Sequence, residues 1–155
     1  MRFGAMAAGV VLACWGVQAP AGNNPFVEAI KVRFTAVAEV FATRGLKPLG
    51  GGVEVMKPGE EAHTEVPLEA GGPVAFVTVC DDDCRHVDLE LLDPAGNVVD
   101  SDSSSGDPAA VVIKDVKTAG KYVVHITMTA CSTDLGCFVA AAMFGQKKGD
   151  EGPGR

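Results

Sequence analysis

The apolar positions of this chain change their period once, between residues 42 and 53. Ahead of the change, Val27, Ile30, Phe34, Val37 and Phe41 recur at alternating steps of three and four, with Glu28, Lys31, Glu39 and Thr43 off the stripe. That spacing puts the five apolar side chains on one face of a helix. Asn24 offers a side-chain acceptor for the N-cap, Pro25 suits the first turn, and Gly45 after Arg44 can take the left-handed stop. Two readings follow: the helix covers an open face of its own domain, or the stripe binds a partner or dimerises, since the same spacing suits a coiled coil.

Leu49-Gly50-Gly51-Gly52 reads as a hinge-like break. After it, apolar residues come in short bursts that predict strands over Val53–Met56, Thr64–Leu68, Pro73–Cys80, Val87–Leu92, Val98–Ser101, Ala109–Ile113, Tyr122–Thr129 and Cys137–Phe144. Turn signals lie between them, among them Lys57-Pro58-Gly59-Glu60, Ala70-Gly71-Gly72, Asp93-Pro94-Ala95-Gly96-Asn97 and Thr118-Ala119-Gly120. Val87, Leu89 and Leu91 alternate with Asp88 and Glu90, which marks a half-buried strand with an acidic outer face. Tyr122, Val124, Ile126 and Met128 share a second such face, and Phe138–Phe144 has no polar residue and is expected to be central and covered on both sides. This pattern predicts an antiparallel β-sandwich, mainly β, preceded by one amphipathic α-helix.

A chain of 155 residues has room for one ordinary domain. Apolar residues make up 47% of it and aromatics 6%, with 19 glycines and nine prolines, a balance that suits short strands and many turns. The formal charge of −7, with no basic block, argues against nucleic acid or an anionic membrane surface as partner.

The first residues change the picture of where the protein resides. Met1-Arg2 is a short basic start, Phe3 to Trp15 is nearly all apolar or small, and Ala19-Pro20-Ala21 has the A-x-A form of a signal-peptidase site. The apolar run is shorter than the ~20 residues that span a bilayer. The expected organisation is a signal peptide over 1–21, an amphipathic helical segment over 22–48, a sandwich domain over 49–145 and a disordered charged tail over 146–155, in a periplasmic or secreted protein. Val11-Leu12-Ala13-Cys14 loosely resembles a lipobox, so a lipid anchor through Cys14 is the alternative.

Losing Cys14 with the leader leaves Cys80, Cys84, Cys131 and Cys137, an even number that reads as disulfides in an exported domain. The local pairing, Cys80–Cys84 and Cys131–Cys137, is preferred, because each pair brackets a short polar loop between apolar runs and would staple a hairpin mouth. A zinc site using C-x3-C with His86 is the alternative.

The run Val79 to Val99, with Asp88-Leu89-Glu90-Leu91-Leu92-Asp93-Pro94-Ala95-Gly96 at its centre, resembles the D-L-D-L-x-L-x-D-x-x-G core of bacterial pre-peptidase C-terminal domains. Ala119-Gly120-Lys121-Tyr122-Val123-Val124 is similar to their late G-x-Y-x-V-x-V strand, and Val66-Pro67-Leu68-Glu69-Ala70-Gly71 fits the lead-in before the aspartates. The resemblance covers about residues 60–145. It implies a small jelly-roll-like sandwich, usually appended to secreted peptidases, related to collagen-binding modules and without an active site; some relatives bind calcium through acidic loops. This chain departs from the pattern in having no peptidase, an added helix and two cysteine pairs, and His86 stands where an acid is common. The cysteine-paired form resembles a stand-alone periplasmic subgroup.

Candidate chemistry is concentrated in acids: nine lie between Asp81 and Asp107, against Arg85 as the one Lys or Arg. If they hold a cation, Ca²⁺ is the first candidate, with Asp81, Asp82, Asp83 and Asp88 as ligands; otherwise they form a solvated acidic surface. The stretch from Asp100 lacks the glycine register and closing glutamate of an EF-hand loop. No G-x-S-x-G or H-E-x-x-H motif occurs. His63 falls in a charged turn region, His125 in mid-strand, and His86 beside Asp83 and Asp88 could form an acid–base pair. The expected function is a non-catalytic exported accessory or binding domain that recognises protein or glycan. The alternatives are an envelope subunit self-associating through the helix stripe and a calcium-dependent binding module.

Overall fold

The computed structural model describes residues 24–104, 109–113 and 115–146. The leader, Cys14, Ser105–Asp107 and the tail from residue 147 lie outside the described residues. One helix, α1 (Pro25–Ala42), is followed by eight strands: β1 (Lys47–Met56), β2 (Glu61–Leu68), β3 (Val74–Cys80), β4 (Cys84–Leu92), β5 (Val98–Asp102), β6 (Ala109–Ile113), β7 (Gly120–Cys131) and β8 (Cys137–Gly145). They form two four-stranded antiparallel sheets, ordered β1-β8-β3-β6 and β2-β7-β4-β5. Successive strands switch sheets except at the β4–β5 hairpin, which is the two-Greek-key order of a jelly roll.

The alternation in the sequence sets which side chains meet between the sheets. Val87, Leu89 and Leu91 of β4 and Tyr122, Val124, Ile126 and Met128 of β7 are all buried there. They face Phe76, Val111, Cys137 and Val139 of the first sheet. β8 lies between β1 and β3, and it is covered on both sides. Its other face, with Ala140, Ala142 and Phe144, forms a second core with Ala75, Val77 and Val79 of β3 and with α1.

The helix begins and ends as its residues dictate. Asn24 Oδ1 accepts from the Phe26 N–H at 3.0 Å, and Pro25 sits in the first turn. At the other end, Gly45 is left-handed (φ 73°), the Gly45 N–H donates to the Ala42 carbonyl and the Leu46 N–H to the Phe41 carbonyl, each at 3.0 Å. This is a Schellman stop, and it folds buried Leu46 back beside Phe41. The stripe is taken up by its own domain. Ile30 and Phe41 are buried, Phe34 and Val37 pack on the same cluster, and Val27 is half-buried. Phe144 stacks under Phe41 (ring centroids 4.8 Å) and Phe34 (5.8 Å). Helix and sandwich share a core, so the reading of the stripe as a partner-binding or self-associating surface is corrected: those side chains are already covered.

The glycine run is also corrected. Gly50, Gly51 and Gly52 lie inside β1, paired with Met143, Ala142 and Ala141 of β8, after an irregularity at Pro48/Gly50. A Cβ on Gly51 would come within 2.4 Å of the Ala141 carbonyl oxygen, so the close approach of the two strands requires glycine there.

Phe144→Ala removes the ring on which the helix is seated and is expected to destabilise the fold by about 3–5 kcal/mol. Urea unfolding measures this, and hydrogen exchange should show α1 amides losing protection before those of β7.

Candidate functional site

Three regions gather the side chains capable of chemistry: the disulfide end of the sandwich, the outer face of the second sheet, and the flank between β1 and β2.

At the disulfide end, Cys80–Cys84 links β3 to β4 and Cys131–Cys137 links β7 to β8, with Cα separations of 5.7 and 6.0 Å. The pairs are the local ones, but the loops are arches that cross between sheets rather than hairpins, so each bond ties one sheet to the other. The arches are laced together. Cys84 sits opposite Cys131 in the β4–β7 register, and the Ser132 N–H and Oγ donate to the Asp83 carbonyl at 2.8 and 3.0 Å.

The four candidate calcium ligands have separate partners. Asp81 is 2% exposed, and its carboxylate accepts from the backbone N–H groups of Phe138 (2.8 Å) and Asp83 (3.1 Å). Asp82 pairs with Arg33 of the helix, which also donates to the Cys80 carbonyl. Asp83 accepts from Ser132 Oγ at 3.2 Å. Asp88 projects from the outer face of β4, where its two oxygens meet His86 Nε2 (2.6 Å) and Thr129 Oγ1 (3.0 Å). Three of these acids thus connect arches and helix, and the fourth lies on a different surface.

The outer face of the second sheet carries all three histidines. His63 belongs to β2, not to a turn, because β2 starts at Glu61; the alternation of Glu61, His63 and Glu65 with Ala62, Thr64 and Val66 is the signal that places it. His63 and His125 are direct cross-strand partners, stacked with ring centroids 4.2 Å apart and planes 11° from parallel. Around them stand Glu61 (3.5 Å from His125 Nε2) and Glu90 (3.0 Å from His125 Nδ1). The Glu61, His63 and His125 donor atoms lie within 4.8 Å of one another, the group of metal-ligand type found among the described residues. In the His86–Asp88–Thr129 set the carboxylate lies between imidazole and hydroxyl, so the imidazole does not activate that hydroxyl.

On the β1–β2 flank the sandwich gapes into a cleft of about 810 Å³. Opposing register positions share a face, so the inward row of β1 is Gly50, Gly52 and Glu54, opposite Met143, Ala141 and Val139 of β8, and only Met56, opposite Cys137 at the disulfide end, reaches the core. Two positions without side chains and one charged position leave unfilled the space that apolar residues fill elsewhere between the sheets. The floor is Ala62, Val66, Phe76, Ile126 and Val139, and Glu54, Glu61, His63 and Glu65 stand at the lining's polar margin.

No family model matches the chain, and no curated protein matches it. Among solved structures it is similar to a periplasmic lysozyme inhibitor of g-type lysozyme from Aeromonas hydrophila, at 11% identity over 61% of this chain and 84% of that one, with a TM-score of 0.44. It is also similar to the CBM36-1 domain of a multidomain xylanase from the hindgut metagenome of Trinervitermes trinervoides, at 10% identity over 66% of this chain and 90% of that one, with a TM-score of 0.35. Likeness at this level does not carry over what either protein binds.

Asp81→Ala should destabilise the fold by about 1–3 kcal/mol, because it strands two backbone donors at a buried position; chemical denaturation with the disulfides intact measures it. The β4–β5 turn provides a pH-dependent test. Hydrogen bonds from the Asn97 backbone and then the Asn97 side chain, helped by the Ala95 and Gly96 backbone, outweigh the opposing effect of desolvation and hold the Asp93 carboxyl below its ordinary value of 3.8. A lowered folded-state pKa favours the fold above the unfolded value, and this contribution fades as pH falls through the folded one. An NMR titration should place the Asp93 midpoint below 3.8, and Asn97→Ala should raise it.

Proposed function

We propose that this chain is an exported, non-catalytic binding domain of the pre-peptidase C-terminal type, and that it takes an extended protein segment into the cleft between β1 and β2. The cleft is the observation that carries this reading. It is large enough for several side chains, its floor is apolar and mainly aliphatic, and it lies between two edge strands whose outer hydrogen-bonding groups can pair with an added extended chain. Phe76 is the one Phe, Tyr or Trp among the lining residues, which favours aliphatic side chains over a sugar ring that needs a broad stacking platform. Glu54, Glu61 and Glu65 at the margin favour a segment that also carries Lys or Arg.

Export is supported by the leader-like first 21 residues and by two disulfides, which persist in oxidising compartments. No helix among the described residues is long and apolar enough to cross a membrane. The resemblance over residues 60–145 adds the expectation of a domain without an active site of its own.

Gly52→Trp tests the cleft. A Cβ at Gly52 meets nothing within 4 Å, so the variant should keep its melting temperature while the indole fills the gap. Peptides selected from a displayed library on the disulfide-bonded protein should be extended, apolar and basic, and should lose binding to the variant by at least about tenfold, roughly 1.4 kcal/mol. Equal binding to both proteins, or binding on a glycan array in place of peptides, would overturn the reading.

A further inference from the structure

The stacked histidines on the second sheet stand beside two carboxylates, Glu61 and Glu90. His63 and His125 stand opposite each other on β2 and β7, and Glu61 lies one side-chain repeat from His63 on the same face. Glu61 is exposed, His63 is exposed, and His125 is half-buried with its ring flanked by Glu90 on the neighbouring strand. In the tautomer whose Nδ1–H donates to Glu90, at 3.0 Å, the lone pair lies at Nε2, which also has the Thr127 hydroxyl at 3.4 Å. Nε2 is the nitrogen that faces Glu61, at 3.5 Å. A carboxylate behind an imidazole, fixing its tautomer and raising the basicity of the far nitrogen, is the outer-shell arrangement of histidine metal ligands.

We propose that Glu61, His63 and His125 bind a divalent first-row transition-metal ion, Zn²⁺ being the ion to test, with Glu90 as the positioning residue for His125. Two imidazoles and one carboxylate are a donor set for such an ion, with Zn–N of about 2.0–2.1 Å and Zn–O of about 2.0–2.2 Å, and they leave a fourth position for water or for a group on another molecule. The donor atoms lie within 4.8 Å of one another, but two nearly parallel rings aim their in-plane lone pairs along parallel lines, so His63 must turn out of the stack for both imidazoles to reach one ion. Glu61 and His63 are the exposed members and can make that adjustment by side-chain rotation while His125 stays held by Glu90. The alternative is a cross-strand stacking contact between two rings with no affinity for metal. Calcium is a poor fit to this set, because it takes six to eight oxygens. The proposal stands apart from the peptide-binding reading: Glu61 and His63 also border the cleft, but the ion is a ligand in its own right.

The test uses the untagged, disulfide-bonded protein. Competition of ZnCl₂ with a chromophoric chelator should give one Zn²⁺ per chain, and CaCl₂ at equal concentration should give none. In the unmodified protein, NMR should show the His63 and His125 ring signals moving with added Zn²⁺ while those of His86, paired with Asp88, stay in place. Glu61→Gln, His63→Gln and His125→Gln should each lower the affinity at least tenfold, Glu90→Gln about 10- to 100-fold, and His86→Gln should leave it unchanged. The proposal is overturned if Zn²⁺ fails to move the two ring signals, or if His86→Gln weakens binding as much as His63→Gln. Because the NMR readout needs no substitution, a variant that folds poorly does not shield the proposal. Gly52→Trp should retain Zn²⁺, so loss of peptide binding and loss of metal binding are read separately.

Discussion

Strand β8 has no polar side chain between Phe138 and Phe144, and burying both of its faces is the constraint on which the rest of the architecture depends. A sheet strand with one wet face would leave Phe138, Ala140, Ala142 and Phe144 in water. The second sheet covers one side of β8, and α1 covers the other, with Phe34 and Phe41 stacked on Phe144 and Phe26 on Phe138. The helix is therefore the third layer of the domain, seated on the opposite face of the strand whose other face closes the sandwich. Its Schellman stop, which brings Leu46 under the helix end, delivers the chain directly into β1 at the edge of that sheet.

Two flanks of the sandwich are then finished in opposite ways. At the end where β3 passes to β4 and β7 to β8, two disulfides, the buried Asp81 carboxylate and the Asp83–Ser132 contacts bind the sheets to each other. Of the acids that stand out in composition, Asp81 is spent on holding two backbone donors, the ordinary fate of a buried carboxylate. On the β1–β2 flank the inward row of β1 from Gly50 to Glu54 brings no apolar side chain, and the sheets stay apart. A sandwich fixed at one end and open along one edge can keep a cleft without collapsing into it, because the strands around the cleft are positioned by covalent and hydrogen-bonded ties elsewhere.

The outer face of the second sheet is a separate surface with separate chemistry. Its polar side chains alternate with the apolar core positions of β2, β4 and β7, so register alone decides which of them meet. It aligns His63, His125 and Glu90 across three strands and puts Asp88 between His86 and Thr129. A slip of one residue in β2 would turn His63 toward the core and Thr64 to the surface.

The sequence by itself determined the local elements: the capped helix with its five-residue stripe, all eight strands, the in-and-out pattern of β4 and β7, the double burial of β8 and the preference for local cysteine pairs. Each of these follows from periodicity or residue chemistry within a short window. Tertiary structure decided the rest. Glycines give no apolar period, so Gly50–Gly52 looked like a break until pairing with β8 made them a strand and left the cleft beside it. The pairs Cys80–Cys84 and Cys131–Cys137 were legible, but whether their loops turned back as hairpins or crossed between sheets depended on strand order, which no short window contains. His63 and His125 lie far apart in the chain and became neighbours only through the β2–β7 register, because strand pairing is a long-range choice made by the whole core.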